Sequence, residues 1–285
     1  MKRLNTASAY KYCQRIAKGH YENFPVASIL LPKRMRLPIA AIYAFARTAD
    51  DWADEGDLSN DERLQALDNM AQDIMDTYQG NPPNDPIYIA LADSMQRFNL
   101  PVSLFNDLIS AFKQDVTQKR FADFGELMNY CRRSANPVGR LLLHLYGLTD
   151  RKSLGYSDAL CSALQLINFY QDLDQDYHEL GRIYIPEDEM AASFVSEDHF
   201  KQKRSDGPMM QLMRKQFQRA NKLLNSGAPL GKRLKGRFGL EIRLITAAAS
   251  RVMQRLDQQQ HDLFSRPRLK PLDWIWIVWT ALRAK

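Results

Sequence analysis

Two segments of the chain set aspartates four residues apart: Asp50 and Asp54 in the stretch from Arg47 to Glu55, and Asp172 and Asp176 in the stretch from Gln165 to Asp176. On a helix, positions i and i+4 share a face with Cβ atoms about 5–6 Å apart, so each pair juxtaposes two like charges. Aspartate is also a poor helix former. A single such pair reads most simply as a solvated charge run. Two of them, both set among apolar residues (Ile42, Phe45 and Trp52 in one; Leu166, Ile167, Phe169 and Leu173 in the other), point instead to a bound cation. Magnesium suits this donor set, because it takes oxygen ligands and is commonly held by one or two carboxylates together with substrate phosphates. Two such helices facing one another would clamp a diphosphate through shared metal ions and neutralise it as it leaves.

Other polar residues keep register with these pairs. Arg47 lies three residues before Asp50, where it either pairs with the carboxylates or contacts a diphosphate. Gln165 and Asn168 lie seven and four residues before Asp172, which places all three on one stripe; the alternative for each amide is a structural hydrogen bond in the interior. Arg182 and Tyr184 follow the second pair, close enough in sequence to cover phosphate oxygens.

The elements that must position these groups read as amphipathic helices. Helical spacing of apolar residues predicts helices over 37–52, 63–78 (with Asn60 as N-cap), 87–98, 102–115, 124–133 and 137–146, then 157–180, 209–224 and 240–264. The helix over 157–180 is the longest uninterrupted one, Gly181 closes it, and 182–186 is an extended exit. Residues 80–86 are a loop rich in Pro, Gly and Asn, and the polar stretch 191–207 reads as a loop or lid. No strand series, fixed-period repeat or dividing linker is evident. The expectation is an all-α protein with a single domain over 1–285.

Composition narrows the partners. The net charge is +6 with a pI near 9.1, the basic residues being spread along the chain with denser runs at 201–204 and 232–243. No nucleic-acid-binding signature accompanies them, so no nucleic-acid partner is expected. Cys13, Cys131 and Cys161 are widely spaced and unpaired in sequence, which argues against a disulfide framework or a zinc site and for a reducing, cytoplasmic setting. The N-terminal stretch lacks the apolar run of a secretory signal, and no stretch approaches the roughly 18 apolar residues of a membrane span. Residues 271–285 are apolar, rich in tryptophan and basic at the end. Either they dock on the core as a terminal helix, or they lie at a membrane interface and make the protein peripheral on the inner membrane.

At the aspartate segments the chain resembles the squalene/phytoene synthase family. The resemblance covers nearly the whole sequence. It includes Asn23 to Ser28, Leu31 to Arg36, Ala41 to Arg47 running into the first aspartate pair, Tyr130 to Gly139, the second pair through Pro186, Arg266 to Leu269, and Asp273 with Trp274. It implies the helical bundle of the isoprenoid synthases, with a central apolar cavity capped by the aspartate motifs. It implies magnesium on Asp50, Asp54, Asp172 and Asp176, with Asp51 and Glu55 as supporting acids. Arg47, Asn168, Arg182 and Tyr184 would support the diphosphate. Tyr43, Tyr130, Ala135, Gly139 and Gln165 would line the cavity, Ala135 and Gly139 being small enough for an isoprenoid chain to approach the helix backbone.

Within the family, 23–28, 46–51 and 134–140 are most similar to a branch of bacterial hopanoid pathways. That branch ionises presqualene diphosphate and captures the cation with water to give hydroxysqualene. Family members that condense two prenyl diphosphates carry Ala-Gly where this chain has Ala135-Asn136, and an aromatic residue just before, where this chain has Arg132, Arg133 and Ser134. Loss of that aromatic puts the condensing half-reaction in question and leaves ionisation and quenching intact. Asn168 and Tyr170 are the candidates to hold the attacking water. The nearest rival is head-to-head condensation of two farnesyl diphosphates; a more distant one is a non-catalytic membrane-surface protein. Lipid substrates would also bring the chain near other enzymes of squalene synthesis.

Overall fold

The computed structural model describes residues 5–19, 30–259 and 261–284, and every described element of regular structure is helical. The stretch from Asn23 to Ser28 lies outside the described residues. The chain divides into two compact units, each discontinuous in sequence: residues 1–117 with 137–154, and 118–136 with 155–285.

The first unit holds α1 (Thr6–Gly19), α2 (Lys33–Asp54), α3 (Asn60–Tyr78), α4 (Pro86–Phe98) and α5 (Val102–Thr117), with α7 (Asn136–Tyr146) nearly whole. Helix α2 is the pivot, packing on α1, α3, α4 and α5. Its buried face carries Ile39, Ile42, Phe45 and Ala49 at the spacing the sequence showed. Phe45 is fully buried and meets Phe105 and Tyr88 edge to face, with centroids 5.4 and 6.3 Å apart. Helix α3 starts from a capping box on Ser59, whose hydroxyl accepts from the Glu62 backbone N–H while the Glu62 carboxylate accepts from the Ser59 N–H. The N-cap is thus Ser59 and not Asn60. The Glu three residues on selects it, since a box needs that partner at N3.

The second unit holds α6 (Phe124–Ser134), most of α8 (Arg151–Gln171), α9 (Leu173–Leu180), α10 (Glu187–Ala192), α11 (Glu197–Lys201), α12 (Gly207–Gly227), α13 (Leu230–Arg233), α14 (Gly236–Gln258) and α15 (Pro271–Arg283). Three sequence expectations change here. The helix over 157–180 is broken at Asp172, which leaves α-helical geometry (φ −109°, ψ 21°) and separates α8 from α9. The stretch 191–207 is not simply a loop: α11 forms inside it and buries His199 and Phe200. The helix over 240–264 starts earlier and stops at Gln258. Helix α12 crosses α8 so closely that a Cβ on Gly227 would sit 2.6 Å from the Leu160 backbone nitrogen.

Candidate active site

The first aspartate pair occupies the last turns of α2, in the first unit. Asp50, Asp51 and Asp54 are half-buried and Glu55 is exposed. Arg47 draws three of these acids together: its guanidinium contacts Asp50 Oδ2 at 3.1 Å, Asp51 Oδ1 at 2.6 Å and Glu55 Oε1. Burial works against the Arg47 charge, but Asp50, Asp51, Glu55 and Tyr43 outweigh it and raise its pKa. Of the two roles open to Arg47 in the sequence, the geometry displays ion pairing along its own helix. Tyr43 is half-buried one turn earlier.

The second pair is built by the end of α8, the break at Asp172 and the short helix α9. The Asp176 N–H bonds the Asp172 carbonyl at 2.8 Å, so the turn continues across the break. At the far end Gly181 adopts the left-handed conformation (φ 65°), and the Arg182 N–H returns to the Asp176 carbonyl at 2.8 Å. That turn sets the buried Arg182 guanidinium beside the Asp176 carboxylate. Burial raises the pKa of Asp172, while Arg266 and an Asn168 side-chain hydrogen bond oppose the rise. Asp176 goes further: burial and the neighbouring Asp172 lift it to about 7, against the pull of Arg182 and Arg266. Asp176 Oδ2 is buried with no hydrogen-bond partner. A buried anionic oxygen left this way is costly, and a hard cation is the partner that would satisfy it.

Asn168, Asp172, Asp176 and Arg182 therefore lie together at this turn. Arg266 joins them, its Nε 3.0 Å from Asp172 Oδ1. In the sequence the Arg266-Pro267-Arg268 stretch carries the family resemblance without a site role, and its arginines beside a proline were the available signal. The Tyr184 ring stacks on Phe169 (3.6 Å between centroids, 4° between planes), with Phe121 and Tyr130 alongside at 5.6 and 6.1 Å. The aromatic wall starts directly beyond the acidic turn. Gln165 is half-buried one turn before Asn168. Ala135 is the buried C-cap of α6, and Gly139 is buried on α7 in the other unit.

Two buried hydroxyls near the aromatic stack differ in their bonding. Tyr170 is fully buried, and its hydroxyl donates to Gln216 Oε1 at 3.4 Å within a core network, so it is committed elsewhere. The Ser134 hydroxyl, one helical turn beyond Tyr130 on α6, is buried and has no hydrogen-bond partner. Among the described residues no three His, Cys, Asp or Glu side chains converge as a ready-made metal cage. Each aspartate pair offers two carboxylates, which is the number magnesium commonly takes when phosphates complete its shell.

The family model for squalene/phytoene synthase matches residues 17–274. The chain belongs to the squalene/phytoene synthase family. It is 36% identical over 263 residues to a hydroxysqualene synthase of Rhodopseudomonas palustris, spanning 92% of this chain and 88% of that one. It is 35% identical to a hydroxysqualene synthase of Sinorhizobium fredii, spanning 88% and 85%. Among solved structures, a squalene synthase from Alicyclobacillus acidocaldarius superposes with a TM-score of 0.84 at 30% identity, covering 90% of this chain and 96% of that one. The fold is that of the squalene-synthase-type isoprenoid synthases. Synthases of this family use prenyl diphosphates and are in general dependent on a divalent metal.

Proposed function

We propose that this member of the family is a hydroxysqualene synthase, which ionises presqualene diphosphate and lets water capture the rearranged cation. The observation that carries the diphosphate chemistry is the Asp172–Asp176 turn, where a buried carboxylate oxygen without a partner lies beside Arg182 and within reach of the Arg266 field. The two hydroxysqualene synthase relatives support the choice of product. In this reading Asp50, Asp54, Asp172 and Asp176 would hold magnesium, which would supply positive charge against a departing diphosphate. Arg182 and Arg266, with Arg47 from the other motif, compensate the remaining charge. Asn168 fixes the Asp172 carboxylate. The aromatic stack of Phe169, Tyr184 and Tyr130 would stabilise a carbocation through its π electrons.

The carbon–oxygen bond breaks with its electron pair leaving on the diphosphate. The cyclopropylcarbinyl cation opens to an allylic cation, and a water oxygen bonds to it and loses a proton. The unpartnered Ser134 hydroxyl is the better holder of that water than Tyr170, because it still has both a donor and an acceptor to give. The chain acts as one catalytic domain over 1–285, a reading supported by a family match that spans both units. Cytoplasmic placement with peripheral membrane contact through α15, and hand-over with other enzymes of squalene synthesis, suit substrate and product of lipid character. No helix among the described residues is long and apolar enough to cross a membrane.

The rival reading, head-to-head condensation of two farnesyl diphosphates, draws on the squalene synthase among the solved structures. Incubation of the protein with magnesium and either presqualene diphosphate or farnesyl diphosphate, without reductant, separates the two. Hydroxysqualene from the first, with farnesyl diphosphate untouched, is the expected outcome by mass spectrometry. A C30 product from farnesyl diphosphate alone would replace this assignment with the condensing one.

A further inference from the structure

We propose that the outer face of α15, together with the cations clustered at both of its ends, is a docking surface for an anionic lipid bilayer. The inference rests on the peripheral contact proposed above and adds the charge of the lipid and a second element that reads it. The inner residues of α15, Asp273, Ile277 and Ala281, are buried, and the helix packs on α14. Its outer residues are Leu272, Trp274, Ile275, Val278, Trp279 and Leu282, each between 46% and 75% exposed. A surface helix normally turns polar residues outward. Here the outward face is apolar, and nearly half of the large exposed hydrophobic side chains among the described residues lie on this one helix. A continuous apolar patch of that kind marks an interaction surface. Two exposed tryptophans suit the headgroup boundary of a bilayer, where one end of the ring is wet.

The charges around the patch select the partner. Arg243 donates from Nε to the Ala281 carbonyl at 2.9 Å and from Nη1 to the Gly231 carbonyl at 3.0 Å, which fastens α13 to the last turn of α15. Residues 228–240, running from α13 into the start of α14, carry Lys232, Arg233, Lys235 and Arg237, all exposed, and no acidic residue. Arg283 lies over the Trp279 ring at 3.8 Å and adds a further cation at that end. At the start of α15, Arg268 and Lys270 are exposed. An apolar helix flanked by cations at both ends is complementary to an anionic interface, each cation strengthening attachment. A second copy fits worse, because a two-fold antiparallel pairing of α15 would bring the basic ends of one copy against those of the other.

The test is sedimentation with vesicles, in the absence of magnesium and of any prenyl diphosphate. Vesicles of phosphatidylcholine alone are compared with vesicles holding about 30% phosphatidylglycerol, at about 0.1 and 0.5 M salt. Binding at least tenfold tighter to the anionic vesicles, largely lost at the higher salt, is expected. The double variants Ile275→Glu/Trp279→Glu and Lys232→Glu/Arg237→Glu each lose at least tenfold in binding. Both keep the wild-type melting profile and the turnover of presqualene diphosphate dispersed in detergent. Equal binding to both vesicle types, no binding to either, or unimpaired binding by the variants overturns the proposal. So does a solution dimer that Ile275→Glu/Trp279→Glu dissolves, which would assign the face to a second copy. If turnover of presqualene diphosphate is absent while anionic vesicles still bind the protein, the catalytic reading fails and the docking surface stands.

Discussion

Asp176 shows how a functional demand is written into one side chain. Its carboxylate is half-buried next to Asp172 with Oδ2 buried, and two arginines leave it only partly compensated. In the absence of a cation this arrangement opposes folding, since desolvation favours the neutral acid. Asp176→Asn removes the charge and keeps the shape. Turnover is expected to fall on the order of a hundredfold or more, the scale seen when a preorganised electrostatic group is lost. The metal-free protein should melt at the same temperature or higher, and the thermal stabilisation given by magnesium with diphosphate should disappear. Melting curves with and without those ions check this without an activity assay. The thiols give a simpler case. Burial pushes both Cys13 and Cys131 up to about 12, so almost no thiolate is present near neutrality. At pH 8 the folded protein should react with a disulfide reagent at the half-buried Cys161 alone, as peptide mass mapping would show. The carboxylate spacing and the unpaired cysteines were legible in the sequence. The Arg266–Asp172 ion pair was not, because nothing local joins two residues so far apart along the chain.

At the scale of elements, periodicity located most of the longer helices, missed α1 and the short helices α10 and α13, and failed where tertiary contacts decide an end or a break. Asp172 interrupts α8 and α9 without any Pro or Gly to announce it, while Gly181 ends α9 where the sequence placed the stop. The segment 191–207 reads as polar because its helix α11 is five residues long and buries only two side chains. Close helix contacts were equally hidden. A Cβ on Gly227 would meet the Leu160 backbone at 2.6 Å, and one on Gly239 would meet the Leu234 carbonyl oxygen at 2.0 Å. Backbone atoms cannot rotate aside, so Gly227→Ala and Gly239→Ala should each lower stability by ~1–3 kcal/mol, measurable by urea denaturation. The hold on α15 is electrostatic as well. The Lys270 backbone N–H, Arg255 and Arg251 keep the buried Asp273 carboxyl well below the usual carboxylate range. A depressed pKa of this kind stabilises above the unfolded value, about 4, and the contribution is lost as pH falls below it. Helix α15 should therefore become sensitive to protease between pH 4 and lower values while α14 resists, and Asp273→Asn should show the same sensitivity at neutral pH.

At the scale of the whole molecule, the all-α class and the family were legible because two aspartate pairs, their order and the chain-long helical periodicity agree. The division into two units was not, since no change of composition marks it and each unit takes residues from both sides of the other in sequence. That interleaving has a consequence for folding. Residues 118–136 belong with 155–285: the Lys119 carbonyl accepts from the Ile183 N–H at 3.1 Å, and the Phe121 and Ala122 carbonyls accept from the Glu187 and Asp188 N–H groups at 2.9 and 3.1 Å. Phe121 and Tyr130 complete the aromatic stack on Phe169 and Tyr184. A fragment of residues 155–285 lacks all of these partners. Its stack is opened to water and three backbone donors lose their acceptors, each at a cost of about 1–3 kcal/mol if they stay buried, against a total stability of only about 5–15 kcal/mol for a typical domain. The fragment should therefore show no cooperative thermal transition and should bind a hydrophobic dye. Addition of a peptide of residues 118–136 should restore part of the helical signal by closing the stack and returning the carbonyls. A cooperative melt of the fragment alone would mean that α12, α14 and α15 suffice as a core, and that the aromatic wall of the site is laid onto a unit already folded.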